Sequence, residues 1–122
     1  MTMKGIYIVS MLLLSLISFS QPAIEGKWKS EENGIVIEIY SKNNMFIGKI
    51  INVSDAKSND KIGHLLLNSL VYNNSTRKYE GKVKSTSGNT AQCEIELVNE
   101  NKFKLTVTKL FIRKIQIFIR TK

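Results

Sequence analysis

From Gly26 onward, short runs rich in Ile, Val, Phe and Tyr alternate with clusters of Asn, Ser, Lys and Gly. Short apolar runs at regular spacing, bounded by turn formers, are the signature of an all-β meander, sandwich or barrel. Strands are predicted at Gly26–Ser30, Ile35–Tyr40, Met45–Val53, Leu65–Tyr72, Tyr79–Lys84, Thr90–Val98, Lys102–Leu110 and Ile112–Thr121. The connections Glu31–Gly34, Ser41–Asn44, Asn73–Lys78, Ser85–Asn89 and Asn99–Asn101 are of hairpin length and carry turn-forming residues. Only Ser54–His64 is long.

The second half of the chain alternates cleanly. Tyr79, Gly81 and Val83 share one face of their strand and Glu80, Lys82 and Lys84 the other; Ala91, Cys93, Ile95 and Leu97 oppose Thr90, Gln92, Glu94 and Glu96. Pairing these strands through Gly88 is expected to set Lys82 and Lys84 across from Glu94 and Glu96, each cross-strand pair contributing roughly 0.2–1 kcal/mol. Cys93 then falls on the apolar side and reads as a small buried hydrophobe, with nothing beside it to activate a thiolate. Two segments depart from alternation: Ile35–Ile39 and the last strand, where Ile112, Ile115, Ile117, Phe118 and Ile119 are apolar on both faces. Such a strand is either central or an interaction surface. Gly48, inside its strand, predicts a bulge or bend of the kind that curls a small sheet towards closure.

Before Gly26 the pattern changes. No charged side chain lies between Lys4 and Glu25, and Ile6–Phe19 is dominated by Ile, Val, Met and Leu. A basic start, an apolar middle and small residues at Ser18 and Ser20 read as a signal peptide, residues 1–20, with cleavage after Ser20 and a single domain over 21–122. A retained anchor is the competing reading, but it needs about 20 apolar residues, and Ser10, Ser15 and Ser18 dilute a shorter run. The whole chain carries 18 Lys plus Arg against 10 Asp plus Glu, a net charge of +8. Removing the leader takes away one Lys and no acid, leaving +7. One Cys excludes an intramolecular disulfide, and with one His it leaves no ligand set for a closed zinc site. Neither a metal nor another cofactor is expected.

Near the start of the mature chain stands Ile24-Glu25-Gly26-Lys27-Trp28, and near its end Ile117-Phe118-Ile119-Arg120. A Gly-x-Trp on the first strand and an Arg near the end of the last resemble the closing pair of the lipocalin and fatty-acid-binding-protein group. Trp28 would plug one end of a barrel with Arg120 stacked on its indole, worth roughly 0.5–2 kcal/mol. Further segments, in order, are Val36-Ile37-Glu38-Ile39-Tyr40, Phe46-Ile47-Gly48-Lys49-Ile50, Asp55 with Asn59, Tyr79-Glu80-Gly81-Lys82-Val83 and Gly88-Asn89-Thr90. Together they resemble an uncharacterised family of small exported bacterial proteins, domain of unknown function 2147. The resemblance covers almost all of the mature chain. It implies a small antiparallel, up-and-down, lipocalin-like β-barrel of about eight strands and a periplasmic or secreted location, without an established activity. Departures cluster late: Ala91 stands where an aromatic is expected, Thr108-Lys109-Leu110 replaces Arg-Gly-Tyr, and Phe118 replaces Trp.

Candidate chemistry is sparse. His64, at the end of the long loop, lacks a neighbouring nucleophile, so a surface histidine is the simpler reading. Asp55, Asn59 and Asp60 lack calcium-loop spacing and read as turn chemistry. In a barrel, Asp55, Asn59 and His64 would belong to a rim loop. The basic excess, with Lys102, Lys104, Lys109, Arg113, Lys114, Arg120 and Lys122 near the end, carries no nucleic-acid recognition motif, and an anionic envelope surface suits the address better. The sequence reading is therefore an exported, monomeric, non-enzymatic barrel binding a small apolar or amphipathic ligand, with Tyr40, Phe46 and Phe103 expected to line the cavity. The alternative is an envelope interaction module docking a protein partner or membrane surface through its last strand, marked by exposure of Ile117 or Ile119.

Overall fold

A computed structural model describes residues 23–121. The signal peptide and the cleavage after Ser20 lie outside the described residues. The described chain is all-β. Its strands are β1 (Gly26–Ser30), β2 (Val36–Lys42), β3 (Met45–Asn52), β4 (Leu65–Asn73), β5 (Lys78–Lys84), β6 (Thr90–Asn99), β7 (Lys102–Lys109) and β8 (Ile112–Thr121). Each pairs antiparallel with its sequence neighbour, and β8 returns to β1, closing an up-and-down barrel. The predicted boundaries move by one or two residues. The largest change is at the β2–β3 turn, which shrinks to Asn43 and Asn44, both at positive φ (53° and 66°), a conformation asparagine tolerates in tight hairpins.

Closure depends on local irregularity in the middle of the sheet. The β3–β4 register shifts on both sides of Gly48, and a Cβ placed there would stand 3.0 Å from the Leu67 side chain. In β4 the register with β5 slips between Asn68 and Val71, with Ser69 at a φ of 56°. This bulge leans onto Gly81, where an added Cβ would come within 2.6 Å of the Asn68 carbonyl oxygen. Bulges increase local twist and bend the bulged strand, which is what a narrow barrel requires.

The β5–β6 hairpin corrects the expected ion pairing. Lys84 pairs with Thr90, Lys82 with Gln92 and Glu80 with Glu94, so Lys82 and Lys84 do not oppose Glu94 and Glu96. Glu94 is met diagonally by Lys78 at 3.6 Å, and Glu96 by Lys104 across β7 at 3.5 Å. Glu80 instead accepts hydrogen bonds from Asn73 Nδ2 and Thr76 Oγ1 in the β4–β5 turn.

The last strand is central in the sense that it is paired on both sides. Its inward face carries Phe118 and, towards the other end, Gln116 and Lys114; Ile115, Ile117 and Ile119 point outward. Ile117 and Ile119 are only half-buried, lying opposite Lys104 and Lys102 of β7. The aliphatic stems of such lysines can cover apolar neighbours while the ammonium stays in water. Strongly exposed apolar side chains occur instead at the β7–β8 hairpin: Leu110, Phe111, Ile112 and Ile115.

Candidate functional site

The topology gives the barrel two unlike ends. One collects the two-residue β2–β3 turn, the β4–β5 and β6–β7 turns, the start of β1 and the end of β8; it is closed. Trp28 is fully buried there and donates from Nε1 to the Ile24 carbonyl at 2.9 Å. The Arg120 guanidinium lies over the indole, its Cζ 4.1 Å from the ring centroid. Its three nitrogens donate to the carbonyls of Glu100 (2.9 Å), Glu25 (2.8 Å) and Ala23 (3.2 Å). One side chain thus ties the segment preceding β1 to the β6–β7 turn. Gly26 makes room for it, since a Cβ at that position would stand 2.6 Å from Arg120 Nη1.

Aromatic packing fills the adjoining interior. Phe103 meets Trp28 edge-on at 4.6 Å and stacks on Phe118 at 4.9 Å. Tyr79 receives Phe46 at 5.5 Å and Tyr72 at 5.0 Å, both edge-on. Burial pushes the Tyr79 phenol up to about 12, with Tyr72 and Glu25 adding smaller repulsions. Cys93 lies in the same core, 3% exposed. Burial likewise raises its thiol to about 12; the Glu94 charge also raises it and a backbone hydrogen bond at Gly81 opposes the rise. The thiol is therefore a protonated packing group at neutral pH, as its strand position implied.

The other end is open. It collects the β1–β2, β3–β4, β5–β6 and β7–β8 connections around a cavity of about 440 Å³ in the lumen. Leu105 and Phe118 line its base with Val83, Ala91 and Val107 on the walls, while Asn33, Ser85, Asn89, Lys109 and Lys114 surround the mouth. Val83 and Ala91 are direct cross-strand partners. Alanine at that inward position leaves volume a larger side chain would occupy. Lys114 is paired with Glu32 at 3.3 Å, both groups exposed, whereas Lys109 has no ion pair among the described residues.

None of the three residues expected to line a cavity, Tyr40, Phe46 and Phe103, lines this one. Tyr40 faces outward, opposite Ile47 and with Lys49 Nζ 6.0 Å from its ring centroid. Phe46 and Phe103 point inward but belong to the packed half. The long loop does sit at the open end, and its expected rim residues act there as structure. Asp55 caps a 3₁₀ segment, Ala56–Lys61, by accepting from the Lys57 amide at 3.0 Å. The Asn59 carbonyl accepts from the Ile62 amide at 3.1 Å. His64 pins the loop to β5 through a 2.6 Å contact between Nε2 and the Lys84 carbonyl, which requires the proton on that nitrogen. Among the described residues, no three His, Cys, Asp or Glu side chains are grouped to hold a metal ion. The residues missed in the sequence are those of the mouth, above all Lys109, Lys114 and Gln116; for Lys114 and Gln116 the available signal was polar residues on one parity of β8 where the other carries Ile115, Ile117 and Ile119. No protein-family model, curated protein or solved structure matches this chain.

Proposed function

We propose that this protein is an exported, non-enzymatic barrel that takes up one small amphipathic molecule, its apolar part in the lumen and its polar end at the mouth. The observation that carries the reading is the open cavity of about 440 Å³, which falls within the usual range for small-molecule sites. An eight-stranded barrel either fills its interior with side chains or holds a single small ligand, and here one half is packed while the other is not. The apolar base and walls suit an acyl or other hydrocarbon moiety. Lys109 and Lys114 at the mouth favour an anionic head such as a carboxylate or phosphate.

Native mass spectrometry of the mature protein, purified gently from its own host, tests the reading directly. A bound mass of lipid size is expected. A medium-chain fatty acid added at about 100 times its Kd should stabilise the barrel by about 2.7 kcal/mol. Bare protein in the spectrum, together with no thermal shift from fatty acids or other amphiphiles, would sink the carrier reading.

A further inference from the structure

The β7–β8 connection has a composition that its geometry does not require. It is a two-residue turn, Leu110 and Phe111, in which Leu110 holds a φ of 57°. A positive φ at the first central residue of a tight hairpin ordinarily selects glycine or asparagine. The β2–β3 turn of this same barrel uses Asn43 and Asn44. At β7–β8 a strained leucine stands instead, 87% exposed, followed by Phe111 at 103% and Ile112 at 74%. These side chains contribute almost nothing to the core, and their polar neighbours are cationic. Lys109, Arg113 and Lys114 flank the tip, and no acidic residue follows Glu100 in the sequence. The nearest compensation is Glu32, which holds Lys114 at 3.3 Å.

We infer that this hairpin tip docks the barrel on an anionic lipid surface, inserting Leu110, Phe111 and Ile112 among the acyl chains while Lys109, Arg113 and Lys114 meet the headgroups. Charge complementarity selects the occupant. An apolar knuckle inside a cationic collar matches a negatively charged bilayer, to which insertion and electrostatic attraction add. A stable protein interface needs about 800 Å² from each partner, far more than a turn and its flanks present. A second copy joined tip to tip would oppose like charges. Lys114 also lines the cavity mouth, so docking turns the open end of the barrel towards the lipid. The inference stands whether or not the lumen holds a ligand.

The test places Phe111→Trp in the full chain and records fluorescence with vesicles of 3:1 phosphatidylcholine and phosphatidylglycerol carrying brominated acyl chains. The parent chain is the control, because its single indole, Trp28, is buried at the opposite end. Quenching of the introduced indole is local to the tip, so attachment through the apolar residues near the start of the chain does not imitate it. The expected result is a blue shift and strong quenching with anionic vesicles, absent from the parent and weak on pure phosphatidylcholine. Adding Lys109→Gln, Arg113→Gln and Lys114→Gln should raise the lipid concentration for half-quenching by about a hundredfold, at roughly fivefold per cation. All four positions are exposed, so the melting temperature should hold. An unquenched indole, equal quenching on neutral and anionic vesicles, or a dimer abolished by the tip substitution would each overturn the inference.

Discussion

Replacing Arg120 by Met keeps most of the aliphatic stem and removes the guanidinium, isolating what that group contributes to closing the barrel. Three hydrogen bonds, at 2.8–3.2 Å, go to the carbonyls of Glu25, Glu100 and Ala23, and the face of Trp28 loses its cation at 4.1 Å. Fully buried charged hydrogen bonds would be worth about 1.5–3 kcal/mol each, but Arg120 is half-buried and water can replace it at the carbonyls, so roughly 0.7 kcal/mol each is appropriate. With about 1 kcal/mol for the cation–π contact, the expected loss is near 3 kcal/mol. For a domain of this size that lowers Tm by roughly 15 °C. Urea unfolding followed by the emission of Trp28, the only tryptophan, should show a lower midpoint with an unchanged slope, since the same surface is exposed on unfolding. Arg120→Lys should lose about half as much, having one ammonium in place of a planar fork. A loss below about 1 kcal/mol for Arg120→Met, or a lysine variant as stable as the parent, would refute the clasp.

Alkaline pH should weaken the fold through two groups. The unfolded chain ionises Cys93 near its ordinary value of 9.0 and Tyr79 near 10.0, whereas burial holds both near 12 when folded. Between those values the unfolded state binds fewer protons, so the stabilisation is fully present below about pH 9 and is lost as pH rises towards 12. Urea midpoints measured across that window should fall, less steeply in Cys93→Ala. At pH 8 an aromatic disulfide reagent should leave the folded thiol untouched and react fully in denaturant; rapid reaction of the native chain would contradict its burial. Gly81→Ala should destabilise by about 2–3 kcal/mol, because the new methyl meets the β4 backbone rather than a movable side chain; thermal melts check it. Ala91→Phe, which fills the lumen, should abolish stabilisation by added fatty acid while leaving the barrel folded by circular dichroism.

Strand positions were legible because each lies between turn formers, and the inward parity of β5 and β6 because one face is plainly apolar. The β5–β6 register was legible too, though by another route: a loop of Ser85–Asn89 pairs Lys84 with Thr90, and counting back sets Glu80 against Glu94. Matching opposite charges gave a different register, since an exposed ion pair is too weak to override a turn. β8 misleads for a deeper reason. Its isoleucines favour one face inward, but Phe118 stacks on Phe103 and Arg120 reaches Trp28, and those two contacts turn the other face in. The cavity escaped notice because it is defined by what is small, Ala91, and by polar residues at a mouth drawn from the β1–β2 and β5–β6 connections and from β7 and β8. Large aromatics such as Phe46 and Phe103 attract attention as ligand contacts, yet in so narrow a barrel their bulk closes the space they border.

The seam between β1 and β8 bears on how this barrel assembles. Every other seam joins neighbours in sequence, the longest connection among them being the β3–β4 loop, but this one joins Lys27 to Thr121 through a five-residue strand. Its loop-closure entropy is the largest in the molecule, and long-range pairings of this kind slow folding. An eight-strand meander would therefore wind up first and be latched last, with Arg120 crossing the seam from β8 to the segment before β1. Opening would run the same route backwards, so the amides of β1 should exchange with solvent before those of β6 and β7, and the lifetime of the native state would be set at this one seam.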